Sequence, residues 1–230
     1  MERINSLLAL LSDIIFPRRC VGCGRERESV CINCLSRVPL ASSTSSTSSS
    51  QAGTIDKDII SVFDYRDTIM RTTIWRLKYR RDRTIAGNLG RMLYEYLIDD
   101  LSERETLTNF TEPILLPIPS ARKRIRSRGF NQAELLAREI KRLDKENTFM
   151  LVTDAVAKVR NTIPQARIRN RDERLKNLRG AFAVVRPEKI RGRNIILIDD
   201  VTTTGATISE VKKVLKKSGA KKVIGLTVAH

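Results

Sequence analysis

The sequence is poor in aromatic residues, has a single histidine, and carries far fewer acids than bases. Aromatics make up 5% of its 230 residues, and Trp75 is the only tryptophan, so the stacking platforms that grip single nucleic-acid strands are thin. Trp75, Tyr79, Tyr94 and Tyr96 fall in helical stretches, where packing inside the protein is the expected fate. The one histidine, His230, is assigned no function. No apolar run is long enough to cross a bilayer. Met1 to Phe16 mixes Glu2, Arg3 and Asp13 into its apolar positions and offers no small-residue cleavage site, so it does not read as a secretory signal. Ile4, Leu7, Leu8, Leu11, Ile14 and Ile15 follow helical spacing instead and predict a short amphipathic helix. No internal repeat is visible. These absences predict a cytoplasmic protein without a membrane span.

What is abundant is positive charge. Forty-three Lys and Arg against 26 Asp and Glu leave a formal charge of +17 and a pI near 10.3, an excess that attracts polyanions. Part of it lies in runs: Arg122 to Arg128, Arg160 to Arg179, and Lys212 to Lys222. The last run sits at a helix C-terminal half, where cations suit the dipole, and reads as solvated surface.

An apolar content of 41% supports one sizeable core and a small satellite module. Ala41 to Gly53 is almost entirely Ser and Thr and reads as a flexible linker. Three parts are therefore expected: an N-terminal helix with a cysteine module over 1–40, a linker over 41–54, and the main domain over 55–230. In the main domain short β-branched runs alternate with amphipathic stretches, the pattern of a parallel sheet covered by helices. Strands are predicted at Ile59 to Tyr65, Pro113 to Ile118, Phe149 to Val152, Asn194 to Ile198 and Lys222 to Val228. Helices are predicted at Thr68 to Tyr79, Arg83 to Leu101, Asn131 to Leu143, Asp172 to Leu178 and Ala206 to Lys217. Asn161 to Arg171 contains Pro164, has no steady period, and reads as a loop. The fold class is α/β.

All four cysteines lie in one window, as Cys20-Val-Gly-Cys23 and Cys31-Ile-Asn-Cys34. Two Cys-x-x-Cys turns aim four thiolates at one point, the spacing of a structural zinc site with no open position. Gly22 and Gly24 fit the tight turn. Two disulfides are the competing reading, disfavoured by the absence of an export signal, and an iron–sulfur cluster is a weaker third. A segment this short has almost no core of its own without the metal.

The most informative stretch runs from Asn194 to Thr207. An apolar strand, Ile195 to Ile198, ends in Asp199 and Asp200, passes through Val201-Thr202-Thr203-Thr204-Gly205, and enters a helix. Backbone N–H groups of Thr203, Thr204, Gly205, Ala206 and Thr207 can converge on a phosphate at a helix N-terminus, with threonine hydroxyls adding donors. Asp199 and Asp200 then fall where the vicinal hydroxyls of a sugar would lie. A threonine N-cap before an ordinary helix explains Thr204 or Thr207 alone. It does not explain two acids at a buried strand's end.

This stretch resembles the phosphoribosyl pyrophosphate (PRPP) signature of type I phosphoribosyltransferases. The resemblance implies that Asp199, Asp200 and Thr202 to Thr207 bind PRPP with Mg²⁺, the loop holding the 5′-phosphate and the acids the ribose. Further blocks are similar to those of the ComF family: Pro117-Ile-Pro-Ser120 followed by Arg126-Ser-Arg-Gly-Phe-Asn-Gln-Ala-Glu134, then Arg160-Asn-Thr-Ile-Pro-Gln165, Arg174-Leu-Lys-Asn177 and Gly180-Ala-Phe182. Leu77-Lys-Tyr79 and Phe16-Pro17 match as well. In such proteins the loop after the second strand contacts pyrophosphate, which places Ser120, Ala121 and Arg122 there, and guanidinium groups suit phosphate oxygens. Arg160, Thr162 and Gln165 are candidates for a loop that closes over the site. Many members carry a second pair of cysteine knuckles, where this chain has its Ser-rich segment.

The family resemblance carries two functional expectations. One is transfer of phosphoribose from PRPP to a nitrogen acceptor, by positioning and electrostatics. No purine or pyrimidine pocket is legible, and Ile55 to Leu101 is the only material for one. The other is single-stranded DNA handling linked to DNA uptake in competence, with Arg124, Arg126, Arg128 and Phe130 as nucleic-acid candidates and Phe130 the best exposed aromatic. A plainer third is an assembly subunit whose zinc module docks a helicase-like partner.

Overall fold

A computed structural model describes residues 18–41, 56–80, 82, 84–163, 168 and 170–230, apart from the side chains of 103, 105–108 and 171. The amphipathic helix expected before Phe16, nearly all of the Ser/Thr segment, Pro164 and Gln165 lie outside the described residues. In chain order the elements are α1 (Ile32–Leu35), β1 (Ile59–Phe63), α2 (Thr68–Tyr79), α3 (Thr84–Thr108), β2 (Ile114–Pro117), α4 (Arg122–Arg128) and α5 (Gln132–Leu143). They continue with β3 (Met150–Leu151), β4 (Val156–Lys158), α6 (Arg171–Leu178), β5 (Phe182–Val184), β6 (Asn194–Val201), α7 (Ala206–Lys217) and β7 (Lys222–Ala229).

Five strands form one parallel sheet in the order β1-β7-β6-β2-β3. A parallel strand covered on both faces is apolar in an unbroken run rather than at alternate positions, as in residues 195–198 of β6 and 223–226 of β7. Ile196 and Ile198 join a buried cluster with Met70, Leu89 and Leu136, from α2, α3 and α5. Ile195 and Leu197 point to the other face, with Ile208, Val211 and Leu215 of α7. On that face Gly225 of β7 lets α7 sit close, since a Cβ there would lie 2.8 Å from Ile208. The short antiparallel pair β4-β5 stands outside the sheet.

The cysteine segment packs on this body. Val30, Leu35 and Val38 are buried in the same cluster as α2 and α3, Asn88 Nδ2 donates to the Val30 carbonyl at 2.6 Å, and Arg76 donates to the Arg19 carbonyl at 2.8 Å.

Four local differences from the sequence reading have physical reasons. Helix α3 runs on to Thr108 rather than ending at Leu101: the added residues lack an apolar period but include good helix formers, and Arg104 pairs with Asp100 one turn back. The arginine cluster after β2 is itself a helix, α4, which buries none of its residues and so shows no apolar stripe. Strand β4 spans three residues, too few for a period to show. Strand β6 continues through both aspartates to Val201, because β7 pairs with it to the end, Asp199 opposite Thr227 and Val201 opposite Ala229.

Candidate functional site

The carboxyl ends of β2 and β6, where open parallel sheets place ligands, border a cavity of about 580 Å³. Its floor is the turn after β6. Gly205 takes φ +71°, a left-handed conformation that other residues adopt at a cost, and its N–H donates to Thr202 Oγ1 at 3.1 Å. That bend turns the chain into α7, whose first N–H groups have no partner within the helix and carry the positive end of its dipole. Thr202 to Thr207 line the cavity together with Asp199 and Asp200.

The two acids differ. Asp199 is pushed up to about 7 by burial and then by the charge of Asp200, against the pull of the Asp200 N–H, Lys78 and Arg124. Asp200 is buried, and its Oδ2 meets Lys78 Nζ at 3.2 Å. Both turn one oxygen onto local backbone, Asp199 Oδ1 accepting from Asp200 N at 2.9 Å and Asp200 Oδ1 from Val201 N at 2.7 Å.

The walls are cationic. Arg124 and Arg128 line the cavity from α4, Lys158 from β4 and Arg174 from α6. Arg174 reaches across to the floor, donating to Thr203 Oγ1 at 2.5 Å and to the Ile168 carbonyl at 2.9 Å. Burial, and then the charge of Arg124, lower Lys158 to about 8, with Arg160 adding to the repulsion and Asp199 opposing it. Ser120 is fixed by Asn131, which accepts from its hydroxyl at 3.1 Å and donates to the Ile118 carbonyl at 3.0 Å. Gln132, also in the wall, is buried, and its Nε2 donor has no partner among the described residues, a group left for a ligand or water to satisfy.

A second cleft of about 710 Å³ shares Pro119, Ser120 and Lys158 with the first and holds Ala121, Arg122, Arg126 and Arg160. Helix α4 thus divides the arginine cluster, Arg124 and Arg128 facing one cleft and Arg122 and Arg126 the other. At the end of the parallel sheet the first cavity thus brings together a helix N-terminus, two acids and the cationic side chains of Arg124, Arg128, Lys158 and Arg174.

A model of the phosphoribosyl transferase domain family matches residues 96–230. Competence protein F of Haemophilus influenzae is 34% identical over 152 residues, which cover 65% of this chain and 63% of that protein. DNA utilization protein YhgH of Escherichia coli strain K12 is 32% identical over 169 residues, covering 72% and 68%. Competence protein ComFC of Bacillus subtilis is 31% identical over 159 residues, covering 69% and 58%. The chain is a ComF-family protein with a phosphoribosyl transferase domain.

The match thus spans 63% of the length of the Haemophilus ComF relative. In this ComF-family chain the four cysteine sulfurs lie within 4.8 Å of one another, with Cys20 and Cys23 each 3.7 Å from Cys31. A zinc ion with ligands at about 2.3 Å sets tetrahedron edges of about 3.8 Å, so the cluster fits a zinc module. Burial opposes ionisation of Cys20, but N–H groups of Cys23, Cys31 and Gly22 hold its thiol at about 6. Cys34 is pushed up to about 12 by burial and its neighbouring sulfurs, a penalty that a cation among them reverses. Among the described residues no helix is long and apolar enough to cross a membrane.

Arg160 lies in the second cleft, its Nη2 donating to the carbonyls of Asn177 and Arg179 at 2.7 and 2.8 Å. Thr162 is described but belongs to neither cleft, and Gln165 lies outside the described residues. Four aromatic assignments are corrected. Phe130 is 8% exposed, packed where α4 turns into α5, and so is no stacking platform; Trp75, Tyr79 and Tyr96, expected inside, are 49%, 60% and 38% exposed. Burial of single aromatics depends on which helix face meets the body, and α2 presents Met70, Ile74 and Leu77 inward. Sequence reasoning also missed Lys78, Tyr79, Lys158 and Arg174 in the cavity wall. Only Leu77-Lys-Tyr79 and Arg174-Leu-Lys-Asn177, noted as family blocks, pointed at three of them.

Proposed function

We propose that this protein binds PRPP, or a closely related phosphorylated ribose, together with Mg²⁺, and transfers the phosphoribosyl group to a nitrogen acceptor in a cytoplasmic process tied to DNA uptake. The observation that carries the reading is the gathering of Asp199, Asp200 and Thr202 to Thr207 in one cavity faced by Arg124, Arg128, Lys158 and Arg174.

The turn from Thr203 to Thr207 cradles the 5′-phosphate through main-chain amides. Asp199 and Asp200 accept from the 2′- and 3′-hydroxyls, Lys78 releasing Asp200 as the diol arrives. Pyrophosphate lies over Ser120 and extends towards Ala121 and Arg122, where the two clefts join. Asp199 and Asp200 are the residues that would help hold Mg²⁺ with the substrate, and the ion would offset the negative charge that develops on the leaving pyrophosphate. In the reaction the bond from C1′ to pyrophosphate oxygen breaks, the acceptor nitrogen forms its bond to C1′, and the acceptor's proton leaves to solvent or base. The cations stabilise the departing diphosphate. Zinc at Cys20, Cys23, Cys31 and Cys34 is structural, since four protein ligands leave no open position.

Calorimetry with PRPP in the presence and absence of Mg²⁺ tests this. Mg-dependent binding that vanishes when Asp199→Asn and Asp200→Asn are combined is expected; unchanged binding in the double variant removes the reading.

A second reading, single-stranded DNA handling, is favoured by the charge of +17 and by relatives named for competence and DNA utilization.

A further inference from the structure

Trp75 and Tyr79 stand one helical turn apart on α2, ring centroids 5.8 Å apart and planes tilted by 41°. Each ring has a guanidinium against it: Arg80 lies 5.6 Å from the Trp75 centroid and Arg128 lies 5.1 Å from that of Tyr79. Both rings keep about half or more of their surface in water, 49% and 60%. Tyr79 and Arg128 are also part of the wall of the 580 Å³ cavity, while Trp75, one turn earlier on α2, is not. The four side chains therefore form a short track of two aromatic faces and two cations that leads from the surface into the ribose-phosphate cavity.

We propose that this track stacks consecutive unpaired bases of a single DNA strand and feeds the nucleotide at its end into the cavity, so that the strand and a phosphorylated ribose exclude one another. The competition rests on the reading of the cavity given above, while the stacking deepens the second reading, single-stranded DNA handling, by naming the side chains that would hold the bases.

Exposure decides between a strand and a free base. A small ligand's site encloses most of the ligand, on the order of 70–90% of its surface, and rings this open leave a lone base largely wet. A strand needs no enclosure, because its phosphates are held by cations along the path while each base adds one stacking contact. Two rings on successive turns suit two neighbouring bases better than one. The cavity itself, lined by Gln132, whose Nε2 has no partner among the described residues, then accepts the sugar and phosphate of the terminal nucleotide on the same Thr202 to Thr207 turn.

Because Trp75 is the only tryptophan, its fluorescence reports the track directly. Titration of the full chain with oligothymidylate of ten residues is expected to quench that emission saturably. The same length of duplex, and free thymidine, are expected to leave it unchanged. Tyr79→Ala should weaken the strand by roughly tenfold, in line with one lost base stack, and Tyr79→Phe should restore the affinity. An unaltered melting temperature shows that each variant is folded, since an exposed ring contributes little to the core. Absence of quenching, or equal affinity in Tyr79→Ala, overturns the stacking track; quenching by free thymidine at similar concentration replaces the strand with a free base and also overturns it. PRPP with Mg²⁺ should displace the strand. If calorimetry shows PRPP bound while quenching persists, the shared cavity is overturned; if PRPP does not bind at all, the proposed function fails and the stacking result stands alone.

Discussion

Lys78 Nζ lies 3.2 Å from Asp200 Oδ2, and both side chains are largely withdrawn from water, 22% and 12% exposed. The pair joins α2 to the end of β6 and sits on the floor that the ribose hydroxyls are proposed to occupy. A mostly buried acid keeps its charge at low cost only while its partner is present.

Lys78→Met therefore strands Asp200. The expected loss is about 2 kcal/mol, somewhat below that for breaking a fully buried pair, measured by chemical denaturation. Adding Asp200→Asn should recover part of it, because the uncompensated charge is gone. Independent effects of the two substitutions would show that the ion pair contributes nothing.

Ligand affinity should pass through a maximum between about pH 7 and pH 8. Asp199 titrates at about 7, facing Asp200, Lys78 and Arg124, and below that value it is protonated and accepts the diol poorly. Lys158 titrates at about 8, facing Arg124, Arg160 and Asp199, and above that value it loses the charge that meets pyrophosphate. Calorimetry with PRPP and Mg²⁺ from pH 5.5 to 9.5, in about 0.5-unit steps, checks both limbs. Lys158→Met should abolish the alkaline limb and leave the acid one in place.

The same shift in Asp199 has a consequence for stability. Its folded value, about 7, lies above the ordinary 3.8, so between those values the folded protein holds a proton that the unfolded chain has released. Stability from this group is thus highest on the acid side, falls as pH rises towards 7, and is level beyond it. Asp199→Asn should be close to neutral at pH 4 and stabilising at pH 8, with a rise in melting temperature of the order of 2–4 °C per kcal/mol gained. Equal melting temperatures for variant and parent at both pH values would contradict a raised Asp199.

Much of this architecture was legible from local pattern. Helix α7 begins and ends where apolar spacing puts it, because Gly205 forces the turn before it, and the Asp199 to Thr207 stretch is a contiguous site. The cavity's other walls come from six separate elements, α2, α4, α5, β4, α6 and β5, and no local period says that Lys78, Lys158 and Arg174 meet. Nor does sequence say which side of α4 an arginine takes: Arg122 and Arg126, an interval of four apart, share one cleft, and Arg124 and Arg128 share the other. The misjudged aromatics follow from the same limit, since Trp75 and Phe130 are both bulky aromatics and tertiary packing decides which of them is covered.

The two glycines of the first cysteine turn should respond differently to alanine. A Cβ on Gly22 would lie 2.6 Å from Cys34 Sγ and 2.9 Å from its Cβ, so the added methyl pushes a ligand sulfur out of the cluster. Gly24 has open space around it but a φ of +73°, and alanine there costs only the left-handed backbone, of the order of 1 kcal/mol. Purified protein is expected to carry one zinc per chain by elemental analysis, retained in Gly24→Ala and largely lost in Gly22→Ala. Because Val30, Leu35 and Val38 share the main core, loss of the metal should lower the melting temperature of the whole protein rather than of a detached module. A metal-free parent protein with an unchanged melting temperature would rule out a structural ion at these sulfurs.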